Sequence, residues 1–425
     1  MILIGILLFI ALNIYIIIRY YHNVIEIFSP CVLVAVMSLT QLLPQLTTIY
    51  FHPHYNNNIL YNLLIVMISC NIALVAGYEF GKKRGIPTKS FWDLKIEKMD
   101  IPIFILSLLG TLATFMFMGT VRNADWVVAS QFQALGIIGL SLGLVKAYKG
   151  YTTKLLWVSL MLASIPIIIF AFIIKGSRNN TFILLVMWLL FATLKLKRQR
   201  KLVANLFLGI FLFGGIASLS IVDIRNQIVH GNNGFSLKNI SEINYIENFK
   251  NAFTNSYTPV GMDLGNAAEG IDYCFQNAKY NFGLFLWNGF VFNYVPQRIV
   301  GENVKNSLMS DLEDLELKDE LCKGVTCMTG YYDAFSAFSY FGFLIYFILG
   351  FFYGRCFYLA QFSSFYLFLY LFLLNSSAII MTHGIQLMVA RLEFLFILVI
   401  PLLLICQYIN KIQFKYEICN KNIRK

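Results

Sequence analysis

Apolar runs of about twenty residues recur along this chain with almost no charge inside them, and they leave it little choice of fold. Segments such as 101–119 and 155–174 are apolar on every face. Strands of a membrane barrel alternate apolar and polar residues, and these runs do not. In lipid the backbone must satisfy its own hydrogen bonds, which leaves the helix. Of the 425 residues, 58% are hydrophobic and only 13% are charged. A soluble domain carries about 25% charged residues. The expectation is an all-α polytopic integral membrane protein.

Hydropathy marks roughly eleven spans, near 1–18, 28–48, 58–78, 101–119, 129–147, 155–174, 181–194, 202–222, 334–353, 363–382 and 390–409. The chain thus divides into eight helices over 1–222, one long polar stretch over 223–333, three helices over 334–409 and a tail over 410–425. The first run starts at Met1 and is followed by Arg19, the reverse of a cleavable signal peptide. A retained span with its N-terminus outside is expected. Alternating sides from there puts twenty basic residues inside: Lys82, Lys83, Arg84, Lys89, Lys95, Lys98, Lys146, Lys149, Lys154, Lys195, Lys197, Arg198, Arg200, Lys201, Arg355 and Lys411, Lys415, Lys421, Arg424, Lys425. The short loops opposite hold four, Arg122, Lys175, Arg178 and Arg391. That bias predicts an outside N-terminus, a cytoplasmic C-terminus and an external 223–333 loop.

The net charge of +11 sits in these inter-span loops rather than on one face, which excludes a nucleic-acid surface. The eight cysteines are scattered, and no Cys/His spacing suggests a metal site. No internal repeat of 20–50 residues is visible. An external segment meets no ATP or nucleotide sugar, so its chemistry must use donors already carried across the membrane.

Within the loop, Asn232-Asn233-Gly234 marks a turn and Glu242 to Phe253 suits a short helix. Phe282 to Val295 (FGLFLWNGFVFNYV) is aromatic and too short to span. It reads either as an interfacial or re-entrant element, with Trp287 and Tyr294 at headgroup level, or as a core helix of the loop. Ser310 to Glu320 reads as a solvated acidic helix, and Cys322 and Cys327 either pair or stay free.

The candidate functional groups lie at the outer helix ends. Lys175-Gly176-Ser177-Arg178-Asn179-Asn180 is a tight loop before a helix start, where a guanidinium and free N–H groups favour an anion. Arg391 and Glu393 lie inside the last span, where a charge costs on the order of 3 kcal/mol unless it faces a partner or a wet cavity. Arg298 follows the aromatic element, and Arg225 leaves the eighth span beside Asp223. His383 can accept a proton near neutral pH. Asp223, Asp263, Glu269, Asp272 and Asp333 are the loop carboxylates eligible as a base, and sequence does not rank them.

The pattern resembles the Wzy-type oligosaccharide repeat-unit polymerases of bacterial surface polysaccharides. The likeness covers most of the chain as architecture and a few short segments in residues. Lys175 to Asn179 is similar to the family's Gly-(Ser/Thr)-Arg loop. Asn293 to Gly301 (NYVPQRIVG) resembles its Pro- and Arg-containing loop segment. Gly330 to Gly342 resembles the entrance to the next span, and Gly384 to Phe396 the arginine-bearing last span. Where some relatives place a glutamate before that glycine, this chain has His383.

The resemblance implies a GT-C-like membrane glycosyltransferase of the bacterial inner membrane, with no required metal or other cofactor. Its substrate would be an undecaprenyl-pyrophosphate-linked oligosaccharide, its large loop periplasmic, and a chain-length regulator its partner. Lys175, Arg178, Arg225, Arg298 and Arg391 would bind pyrophosphate, and His383, Asp263 or Glu269 would act on the attacking hydroxyl. Loop aromatics such as Tyr257, Trp287, Tyr294, Tyr331 and Tyr332 offer sugar-stacking faces or ordinary core. An O-antigen ligase shares this layout. A lipid-linked oligosaccharide flippase fits it less well, because transporters place charges near mid-span and these spans are almost free of them there.

Overall fold

The computed structural model describes residues 2–23, 25–83, 94–116, 131–168, 178–219, 247, 263–310, 328–401 and 403–404. Among the described residues every regular element is a helix. Among the described residues four stretches are long and apolar enough to cross a membrane: Ile2–Tyr21, Pro30–Phe51, Asn57–Lys83 and Gly330–Ala360.

The first unit is α1 (Ile2–Tyr21), α2 (Pro30–Met37), a π turn at 38–42, α3 (Leu43–Phe51) and α4 (Asn57–Lys83). Ser29 caps α2 by accepting the Val32 N–H, and Pro30 takes the first position, where no donor is needed. α1 and α4 run in the same direction. Gly5 meets Leu64, Asn71 donates to Asn13 at 3.1 Å, and Tyr20 donates to Glu79 at 2.7 Å.

α4 lies still closer to α15 (Phe343–Ala360), also in parallel. Gly77 and Gly81 rest on the backbone at Phe347 and Phe351, while Gly350 and Gly354 rest on the backbone at Leu74 and Tyr78. A methyl on any of the four would strike a carbonyl oxygen across the crossing. Lipid gives apolar helices no water to escape, so contact between bare backbones is what holds them. The signal is in the sequence as GYEFG and GFFYG, two small-xxx-small motifs.

The stretch Gly330–Ala360 is 31 residues long but is two helices in space. α14 (Gly330–Phe338) ends at Ser339, whose φ of +54° breaks the helix, and a short 3-10 turn leads into α15. The rings of Tyr331 and Tyr346 stack 5.7 Å apart, and Gly342 sits against Ala334. Fifteen residues of straight helix would separate those rings by about 22 Å. Tyr331 of α14 donates to Asn71 at 2.8 Å and Tyr340 of the 3-10 turn donates to Asn62 at 2.7 Å, so passing from α14 into that turn means moving backwards along α4. α14 therefore folds back against α15. The helix that continues through the bundle starts at Phe343, nine residues later than the expected 334.

α5 (Asp100–Met116), α6 (Ala134–Tyr148) and α7 (Lys154–Ile168) form the second unit, followed by α8 (Arg178–Lys195) and α9 (Arg200–Leu219). A belt of polar contacts ties one end of α1, α4, α5, α6, α8 and α9 together. Lys82 bridges Glu26 and Glu79, and Tyr21 donates to Asn205 in α9. Arg200 donates to the Thr193 carbonyl, and Lys195 to the Ala147 carbonyl. Lys146, wholly buried, donates to Asp100 Oδ2 and to the Glu97 carbonyl, both at 2.6 Å. This is the end that the charge bias marks as inside.

Gly350→Val is expected to destabilise the bundle by about 1–3 kcal/mol through overpacking. Gly209→Ala, with nothing within 4 Å of the added carbon, should leave it unchanged. Thermal unfolding in detergent, followed by fluorescence, checks the contrast.

Candidate functional site

The end opposite the polar belt gathers α10 (Asp263–Asn277), α11 (Leu284–Tyr294), α12 (Gln297–Val300), α13 (Glu302–Leu308), α14, and the turn between α16 (Ser364–His383) and α17 (Ile385–Phe394). Asp333, on α14, is buried, and its Oδ2 accepts the Ile385 N–H at 2.7 Å. That N–H is the first of α17, where a carboxylate meets the positive end of the helix dipole. Gly384 holds φ at +87°, and a Cβ there would run into Asp333 Oδ2, so both the turn and the close approach require glycine. Asp333, one of the carboxylates eligible as a base, therefore caps the last helix.

α11 lies along α17 in the same direction. Gly289 rests on the Gln386 side chain, and Tyr294 donates to the Ala390 carbonyl at 2.7 Å. The next residue, Arg391, is half-buried and lies six positions past Ile385, about 9 Å along the helix. Its charge reaches Tyr353 of α15, whose hydroxyl donates to the Leu373 carbonyl at 3.2 Å. Glu393, also half-buried, acts through space on the Tyr294 phenol. Arg298 is exposed on α12, four residues after Tyr294. Tyr294 thus ties the segment carrying Arg298 to the turn of α17 that carries Arg391 and Glu393. The Tyr294 hydroxyl, expected from sequence either at headgroup level or in a loop core, is bonded to the last helix.

Glu269 and Asp263 lie on α10, a separate helix. The Leu264 N–H donates to Gln45 Oε1 at 2.9 Å, which fixes α10 against α3. Asp263 occupies the first turn, where its charge favours the helix. Glu269 Oε1 accepts from the Tyr55 hydroxyl at 3.0 Å and lies 3.8 Å from His54 Nε2. Burial, reinforced by the Glu269 charge, pushes the Tyr55 phenol up from its ordinary value, so it remains a donor. Gly270 rests on the Tyr332 ring, one residue from Asp333. Glu269 is therefore tied to the turn between α3 and α4.

Of the other expected groups, Lys175, Arg225, Asp223, Cys322 and Cys327 lie outside the described residues, as do the acidic 311–320 segment and the 232–234 turn. Arg178 begins α8 and His383 ends α16; their side chains lie outside the described residues. α8 packs against α16, and the opposite end of α8 carries Lys195 in the polar belt. The starts of α8 and α17 therefore share the end where Asp333 and Tyr294 act.

No protein-family model matches the chain, and no curated protein or solved structure is significantly similar to it. Sequence reasoning passed over two features of this end, the Asp333 cap on α17 and the Tyr294 tether. The cap had a weak signal, a lone glycine between two apolar helical runs. The tether had none, because residues 294 and 390 are brought together only by folding.

Asp333→Ala should cost about 1–3 kcal/mol by leaving the buried Ile385 N–H without its acceptor, and Asp333→Asn should recover part of that. Thermal unfolding of the two variants in detergent measures the difference.

Proposed function

We propose that the protein is a membrane glycosyltransferase that polymerises undecaprenyl-pyrophosphate-linked oligosaccharide repeat units at the outer face of a bacterial inner membrane. The reading takes α1, the α2–α3 pair, each of α4 to α9, and α15, α16 and α17 as eleven crossings of a GT-C-like bundle. The N-terminus and the 223–333 loop are then periplasmic and the tail cytoplasmic. The observation that carries it is the Tyr294–Ala390 hydrogen bond, which draws the Arg298 segment to Arg391 and Glu393.

In this mechanism the growing chain leaves its lipid and is joined to the terminal sugar of a new lipid-linked unit. The bond from the sugar to the pyrophosphate breaks as the acceptor hydroxyl attacks. Negative charge builds on the departing pyrophosphate, and Arg391 and Arg298 stabilise it, with Arg178, Lys175 and Arg225 as further cations of the same end. Glu393 takes the proton of the attacking hydroxyl. It is preferred to Asp333 and Glu269 because those carboxylates already serve the α17 cap and Tyr55. His383, beside Gly384, is the alternative base. A protein that controls chain length would act from the periplasmic side.

Purified protein in vesicles, supplied with the lipid-linked repeat unit, should release undecaprenyl pyrophosphate and build ladders of longer chains. Arg391→Ala should lower the rate about 100-fold or more, and Arg391→Lys should recover only part, since an ammonium lacks the two-pronged contact. Glu393→Gln should abolish elongation while leaving the amount of folded protein unchanged. Transfer of the chain to lipid A core instead of to a second unit would mark a ligase. Movement of the lipid across the bilayer without elongation would mark a flippase.

A further inference from the structure

Residues 284–310 form a hairpin that satisfies much of its own polar chemistry. α11 runs along α17, and α13 returns beside α11. Asn288 and Ser310 bond reciprocally, Asn288 Nδ2 to the Ser310 carbonyl and the Ser310 N–H to Asn288 Oδ1, both at 2.8 Å. The Trp287 indole N–H donates to the Leu308 carbonyl at 2.9 Å. Lys305 is only 2% exposed and donates to the Phe292 carbonyl at 3.0 Å, in the last turn of α11. A cation there also meets the negative end of the α11 dipole. Closing polar groups inside the element is what entry into hydrocarbon demands.

The two edges of the hairpin differ in chemistry. Leu284 and Trp287 of α11 are exposed, and so are Val304 and Leu308 of α13. Ile299, at the tip, is 81% exposed. The polar residues of α13, Glu302, Asn303, Asn306 and Ser307, are exposed on its other arc. Residues four apart share a helix face, so Val304 with Leu308 and Glu302 with Asn306 define two separate stripes. A sided helix of this kind lies at a membrane surface with its apolar stripe in the acyl region.

The position of the hairpin fixes its depth. Tyr294 is bonded to Ala390, five residues into α17, or about 7.5 Å along that helix. The α12 tip follows directly and so lies level with the body of α17 rather than beyond its first residue. We propose that the apolar edge of this hairpin is inserted in the outer membrane leaflet, with phospholipid acyl chains covering Leu284, Trp287, Ile299, Val304 and Leu308. Arg298, next to the tip, keeps its stem among the chains and its guanidinium at headgroup depth, the level at which a lipid-linked pyrophosphate also lies. The Glu302–Ser307 stripe faces the aqueous side. This assignment holds whatever reaction the protein catalyses.

The test compares Ile299→Cys with Lys279→Cys, an exposed position in the segment before α11, in right-side-out membrane vesicles. A membrane-impermeant maleimide should label Lys279→Cys at least about tenfold faster than Ile299→Cys over the wild-type background. Ile299→Cys should become fully reactive after unfolding in dodecyl sulfate. In parallel, wild type and Trp287→Phe are reconstituted into phosphatidylcholine vesicles with brominated acyl chains. The share of fluorescence that Trp287 contributes should be quenched. Equal labelling of the two cysteines overturns the proposal, because the tip then stands in water. Protection of Ile299→Cys without quenching of Trp287 also overturns it, because the edge is then covered by a second copy or another protein rather than by lipid.

Discussion

The closeness of α4 and α15 is the constraint on which the rest of the bundle depends. Four glycines let two backbones touch where any side chain would hold them apart. Dispersion at that distance replaces the hydrophobic drive that lipid removes. The contact also sets where α14 goes. Its chain must fold back against α15 and still reach α4, and it does so through Tyr331 to Asn71 and Tyr340 to Asn62. Because α14 carries Asp333, the glycine crossing ultimately places the start of the last helix.

Polar side chains inside this apolar body specify register rather than chemistry. Asn13 donates to the Phe9 carbonyl, Asn71 to Asn13, and Tyr331 to Asn71, a chain of bonds across three elements with each residue buried. A buried polar group left without a partner is costly, so a shift of one helix by a turn would break the chain. In the polar belt Lys82 and Lys146 do the same with carboxylates. Buried ion pairs add little net stability when compared with apolar residues, but breaking one strands a charge. They fix which helices meet.

At the opposite end the same logic sorts the carboxylates. Asp333 is bonded to a helix N-terminus, and Glu269 is bonded to Tyr55 beside His54. Glu393 stands apart from these, near Tyr294 and two residues from Arg391. Charged groups placed inside a spanning helix are retained where they meet a partner or a polar ligand. The functional proposal follows from that distribution and from the tether that brings Arg298 to the same helix.

The sequence by itself determined the class of the protein. Twenty-residue apolar runs in a medium without water admit only helices, and the uneven basic loops sort their ends into two sets. Both follow from local composition, which is why residues such as Lys82, Lys146 and Lys195 were placed at one end before any contact was known. Arg298 and Arg391 were also legible as cations beside apolar runs, and Glu269 as one of the loop carboxylates. Tertiary structure alone decided what each is near. Asp333 became a cap only because Gly384 turns beside it, and Tyr294 became a tether only because α11 runs along α17. The fold-back of α14 was hidden because 334–353 is one charge-free apolar run, and apolarity records that a residue avoids water without recording which helix it meets.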